Sequence, residues 1–139
     1  MKHTLQSAIE YSNKGKAREW AINFLNSTNN NAFAKKIEKG FFIGPIELKL
    51  SDLNRCCGPE SNMKFHEDKN KFNKKNSEMT SEIKKGWDTP PLIIWFLDKK
   101  HSIADGNHRF EALKQNGYKK YWCFIWFKDK KDYEIYKNS

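Results

Sequence analysis

Five consecutive residues, Asp105-Gly-Asn-His-Arg109, place an acid, a glycine, an amide, an imidazole and a guanidinium within one turn of chain. They follow Ser102-Ile-Ala104 and run into Phe110-Glu-Ala-Leu113. That order reads as the end of a strand, a tight turn that glycine permits, and the start of a helix. The first turn of a helix presents unpaired N–H groups and the positive end of the dipole, and the two together attract phosphate. Basic side chains in a first turn oppose that dipole, so His108 and Arg109 make sense there when an anion arrives from outside. Arg109 offers phosphate a fork of donors, and His108 one further hydrogen bond. Asp105 either caps the helix or reaches a metal ion or a ribose hydroxyl. On spacing alone the alternative is a capped helix with an incidental His-Arg pair on the surface.

Such a turn needs elements to hold it. Pro90-Pro91 leads into Leu92-Ile-Ile-Trp-Phe-Leu97, and Tyr121-Trp-Cys-Phe-Ile-Trp-Phe127 forms a second continuous apolar run. Runs of this length and kind read as strands buried on both faces. Asp98-Lys-Lys-His101 is turn-like, so Ser102–Ala104 returns as a short strand, and the helix after it ends at Gly117. Trp95, Trp122 and Trp126 fall in these strand patterns and read as core, and Trp87 as packed under a loop. Upstream, residues 4–12, 16–26 and 32–39 read as helices, the last stopped by Gly40. Residues 41–50 read as a strand with Ile46, Leu48 and Leu50 on one face. Gly58-Pro59 marks a turn. The Lys- and Asn-rich stretch 67–85 reads as a solvated helix or loop, a mobile flap being its alternative. The expected fold is α+β, helices packed on a small mixed sheet, in one domain of 139 residues. It divides into a helical N-terminal extension (1–40), a core (41–127) and a C-terminal tail (128–139). The extension is open to reading as a lid, a dimer arm or core padding.

The stretch Asp105-Gly-Asn-His-Arg-Phe-Glu-Ala-Leu-Lys-Gln-Asn-Gly117, preceded by Pro91-Leu-Ile-Ile and followed by an apolar strand, resembles the ParB/sulfiredoxin superfamily. The resemblance spans roughly residues 46–127 and is best over 90–127. It implies a small domain that binds a nucleotide, ATP, ADP or CTP with or without Mg2+, its phosphates held by Gly106, His108 and Arg109 and the adjoining Asn107. Residue 107 departs from the pattern: sulfiredoxins carry a catalytic cysteine there and ParB proteins a glutamate. Sulfinic acid reduction is therefore not expected. With 22 residues after Gly117, the further domains of ParB proteins are not expected. The box is most similar to Asp-Gly-His-His-Arg of the archaeal free serine kinase branch. That resemblance implies a phosphotransferase or nucleotidase acting on a small acceptor, with Asp105 and His108 in the site. By position it draws the catalytic carboxylate from the segment before the Pro strand, Glu60 or Glu67. Arg55 stands at the family's upstream arginine, where it meets the nucleotide or pairs with Asp52. Glu111, one turn from His108, is expected to orient it. His66 and His101 are expected at the surface.

Composition bounds the alternatives. With 26 Lys and Arg against 17 Asp and Glu, the net charge is +9. A cationic surface attracts polyanions, so a ParB-type DNA-binding or nuclease-like module stays open. The charge is mixed along the chain, however: residues 64–85 carry seven basic and four acidic side chains. A non-catalytic regulatory domain is the third reading, favoured by Asn107. No apolar run approaches the roughly 18 residues of a membrane span. Three cysteines, Cys56, Cys57 and Cys123, suit reduced thiols in the cytoplasm. The adjacent Cys56-Cys57 lacks the spaced pairs of a zinc site. Oligomeric state and acceptor identity are not legible.

Overall fold

The two apolar runs become the centre of the sheet. The computed structural model describes residues 1–139. Its strands are β1 (Phe41–Lys49), β2 (Leu53–Asn54), β3 (Cys57–Gly58), β4 (Phe65–His66), β5 (Leu92–Leu97), β6 (Lys100–Asp105) and β7 (Lys120–Phe127). Five of them form one mixed sheet in the order β1-β7-β5-β6-β2, and β3 and β4 pair separately. β5 runs parallel to β7 and antiparallel to β6, and β2 lies parallel to β6 at the edge. The helices are α1 (Leu5–Asn13), α2 (Ala17–Ser27), α3 (Asn31–Lys36), α4 (Lys69–Lys84), α5 (Asn107–Gln115) and α6 (Lys130–Lys137).

Side chains alternate across a strand, and here the alternation feeds two cores. Ile93, Phe124 and Trp126 face one way and pack with Trp20, Phe24, Leu25, Phe33 and Ile37 of the first forty residues. Leu92, Ile94, Phe96, Cys123, Ile125 and Phe127 face the other way. There they meet Phe110, Ala112 and Leu113 of α5 and Ile83 of α4. Both sheet faces are thus covered, which explains why β5 and β7 read as unbroken apolar runs.

Two open readings are decided, core packing for the N-terminal segment and a helix for 67–85, and one expectation, the C-terminal tail, changes. The N-terminal segment is neither a lid nor a free arm; it is the layer that buries one face of the sheet. Trp20, fully buried, donates Nε1–H to Ser7 Oγ at 2.9 Å and stacks on Phe24. The C-terminal tail folds as α6, which Asp129 caps by accepting from the Asp132 N–H. Its Tyr133 and Tyr136 close over Phe127. The stretch 67–85 is a full helix, α4, capped by Asp68. It buries Phe72, Asn76 and Ile83, and Asn116 beyond α5 donates to its Thr80 carbonyl at 3.2 Å.

Candidate functional site

Strand β6 ends at Asp105 and α5 begins at Asn107, so Gly106 alone makes the turn. It holds φ at +106°, where a side chain is strained. A Cβ there would stand 2.8 Å from Leu92 Cδ2 and 2.9 Å from Arg109 Nη2. No side chain caps α5, so its first-turn N–H groups lack an acceptor from a cap residue. This turn, residues 104–108, forms one wall of a cavity of about 330 Å³. Asn30, Cys56, Cys57 and Phe65 form the rest.

His108 lines that cavity, and its Nε2 lies 2.9 Å from Glu67 Oε2. The Cys57 thiol donates to the same oxygen at 3.1 Å, and Lys75 stands 3.8 Å from Oε1. Burial pushes the imidazole below its ordinary value, although Glu67 pulls it the other way. The ring is therefore neutral near pH 7. With its proton on Nε2 facing the carboxylate, Nδ1 keeps the lone pair. Burial acts to raise Glu67, but the Cys57 thiol, His108 and Lys75 together outweigh it and hold the carboxyl below the usual range. The same burial, with the Glu67 hydrogen bond and charge, pushes Cys57 up to about 11, so it is a thiol rather than a thiolate.

Of the two upstream carboxylates expected near the chemistry, Glu67 meets His108, and Glu60 does not. Glu60 is held by Arg55 at 2.5 Å. Arg55 pairs with neither Asp52 nor the cavity. It bridges Glu60 and Glu111, the latter at 3.0 Å, and lies over the Phe72 ring. Glu111 accordingly serves Arg55 and Lys114, and it does not orient His108.

Arg109, expected on phosphate, is turned inward. Its Nη2 donates to the Pro91 carbonyl at 2.9 Å, its Nη1 lies 3.4 Å from Asp105 Oδ2, and its guanidinium stacks 5.1 Å from the Phe24 ring. Only 6 % of the residue is exposed, and its Nε has no partner. Asp105 lines the cavity while holding Arg109, and it accepts from Asn30 Nδ2 at 3.2 Å. Asn107, expected among the ligand-binding groups, has its side chain occupied. Its Oδ1 accepts from the backbone N–H of Cys56 at 3.0 Å and of Cys57 at 3.3 Å, and its Nδ2 donates to the Ile103 carbonyl. It pins the Cys56–Cys57 loop against α5. Its backbone amide stays in the helix start. His66 is exposed as expected, but His101 is half-buried between Phe96 and Tyr136.

The cysteine pair belongs to this wall and Trp95 lies close by, and neither stands out as a site residue in the sequence. Trp95 lines a second groove beside the cavity, together with Phe33 and Phe65. Its place between Ile94 and Phe96 in strand alternation put it on the opposite face from them, which was the available signal.

No cluster of three or more His, Cys, Asp or Glu side chains is arranged to hold a metal ion. Mg2+ ordinarily takes one or two carboxylates plus substrate phosphates, so a divalent cation here would enter with the phosphates, and Asp105 is the carboxylate on the cavity wall.

The sequence matches no protein-family model and no curated protein significantly. Among solved structures the chain is similar to sulfiredoxin from Arabidopsis thaliana, with 22% identity and a TM-score of 0.44 over 70% of this chain and 97% of that one. At this level the likeness says nothing of activity.

Proposed function

We propose that this chain is a nucleotide-binding domain whose ligand phosphates sit at the start of α5. The observation that carries the reading is the uncapped first turn of α5 opening onto a cavity beside a neutral histidine. Unpaired amides and the dipole supply the attraction for phosphate. Arg109 contributes by bracing Asp105 and the turn, not as a phosphate ligand. The sequence resemblance to nucleotide-dependent members of the ParB/sulfiredoxin superfamily supports the same assignment.

The finer reading is phosphoryl transfer to a small hydroxyl acceptor. In that step the bond between the γ-phosphorus and the β–γ bridging oxygen breaks, and the acceptor oxygen bonds to the γ-phosphorus. The acceptor proton passes to His108 Nδ1, and Glu67 stabilises the imidazolium that results.

A thermal-shift panel with ATP, ADP and CTP, each with and without Mg2+, tests the assignment. A ligand at one hundred times its Kd stabilises the native state by about 2.7 kcal/mol, a rise of roughly 10 °C in a chain of this size. No rise with any nucleotide overturns the assignment. Binding without turnover of any acceptor or water removes the transfer step and leaves a regulatory domain.

A further inference from the structure

The groove beside the α5 cavity has a volume of about 340 Å³ and shares Asn30, Cys56, Phe65 and Ala104 with it. Its walls differ in kind from those of the cavity. Phe33 from α3, Trp95 from β5 and Phe65 from β4 give it aromatic sides. Lys36 Nζ lies 4.8 Å from the Trp95 ring centroid and Lys64 Nζ 5.8 Å from it, and Lys64 also sits 5.4 Å from the Phe65 ring. No acidic side chain lines the groove. Phe65 is 57% exposed, on a two-residue strand tied down by its N–H to the Cys56 carbonyl at 2.8 Å. An exposed phenyl ring over a groove with aromatic sides and ammonium groups suits a flat ring joined to an anion. Aromatic faces stack on nucleobases of any kind, and amines alongside them meet a sugar–phosphate backbone.

We infer that this groove is the base subsite of the nucleotide whose phosphates occupy the α5 start. The base stacks against Phe65 and Trp95, and Lys36 and Lys64 stand along its anionic side. The inference rests on the phosphate reading above. Its added content is that the N-terminal helical layer builds part of the ligand site. α3 supplies Phe33 and Lys36, and Asn30 at its N-cap ties that layer to the box by donating to Asp105. Aromatic side chains stack on every base, so the groove discriminates weakly between ATP and CTP and strongly against a ligand without a base.

Calorimetric titration of the intact chain with ATP, CTP and inorganic tripolyphosphate separates the two ideas. The expected result is that both nucleotides bind at least tenfold more tightly than tripolyphosphate. Phe65→Ala, at an exposed position that leaves the core intact, then weakens both nucleotides about tenfold and weakens tripolyphosphate by clearly less, although Phe65 also edges the α5 cavity. Its melting curve without ligand should match that of the parent. Equal affinity of the parent chain for nucleotide and tripolyphosphate overturns the base subsite while the phosphate site stands. So does an unchanged nucleotide affinity in Phe65→Ala, or an equal loss for all three ligands. Absence of binding by all three overturns both readings.

Discussion

Arg109 shows how a residue chosen for one job can be held by another. In sequence it is a cation in a helix first turn, and a guanidinium there suggests phosphate. In the folded chain it sits beneath the turn, its two terminal nitrogens held by the Pro91 carbonyl and Asp105 and its Nε without a partner. The type and position of the residue were legible; its direction was not, because it is set by the Pro91 carbonyl and the Phe24 ring, which come from other parts of the chain. Truncating one partner of a buried ion pair leaves the other charge unpaired, which costs about 3 kcal/mol or more. Arg109→Ala should therefore lower the urea midpoint sharply with no ligand present. A variant as stable as the parent would mean that the guanidinium is not held inside. Acid should act through the histidines. Burial holds both His108 and His101 below the ordinary 6.5, so between that value and their folded values the unfolded chain binds protons that the native chain does not. Stability then falls as pH drops below about 6.5 and is unaffected by these groups above it. Glu67, held below its ordinary 4.5, adds a further loss only in more acid solution. Urea midpoints from pH 7.5 to 5.5 should show the decline, and His101→Asn should flatten part of it.

At the level of elements, the two apolar runs, the hairpin between them and the helix closed by Gly117 were all readable, because each depends on local alternation and on turn residues. Two were legible only in part: the helix over 67–85 without its buried face, and the C-terminal segment without its helix. Residues 67–85 are so rich in Lys and Asn that their few apolar positions look incidental, yet Phe72 and Ile83 are the ones that α4 buries. Residues 128–139 looked like a tail, although Asp129 is a cap and Tyr133, Ile135 and Tyr136 form an apolar stripe that pays off only when Phe96 and Phe127 are there to receive it. The turn between β6 and α5 is a tightly constrained joint next to the cavity. Gly106→Ala meets both an unfavourable φ and contacts of 2.8 and 2.9 Å. Strain of this kind costs about 1–3 kcal/mol, and Leu92 and Arg109 must also shift. The measurable result is a lower melting temperature together with weaker nucleotide affinity. Asp129→Ala serves as the contrasting case, losing a cap worth about 1 kcal/mol on α6, which does not line the cavity, and leaving affinity unchanged.

For the whole molecule, the consequence is that the first forty residues cannot be separated from the core. A sheet whose strands are apolar on both faces needs two covers, and α1–α3 are one of them. Their contribution could not be read from sequence, since amphipathic helices of this length suit a lid, an arm or a layer equally. What distinguishes the cases is the partner surface: Ile93, Phe124 and Trp126 are all buried, against a cluster built from Trp20, Phe24, Leu25, Phe33 and Ile37. A lid would leave behind a stable domain when removed, whereas a layer leaves an exposed apolar sheet face. Removing residues 1–40 should therefore abolish cooperative unfolding and drive the remainder to aggregate. Trp20→Ala in the full chain is the graded version. It deletes a fully buried ring with a stacked neighbour and a hydrogen bond, at a cost of about 3–5 kcal/mol. A truncated chain that stays monomeric by sedimentation and melts as sharply as the parent would show that the sheet face is satisfied without its helices.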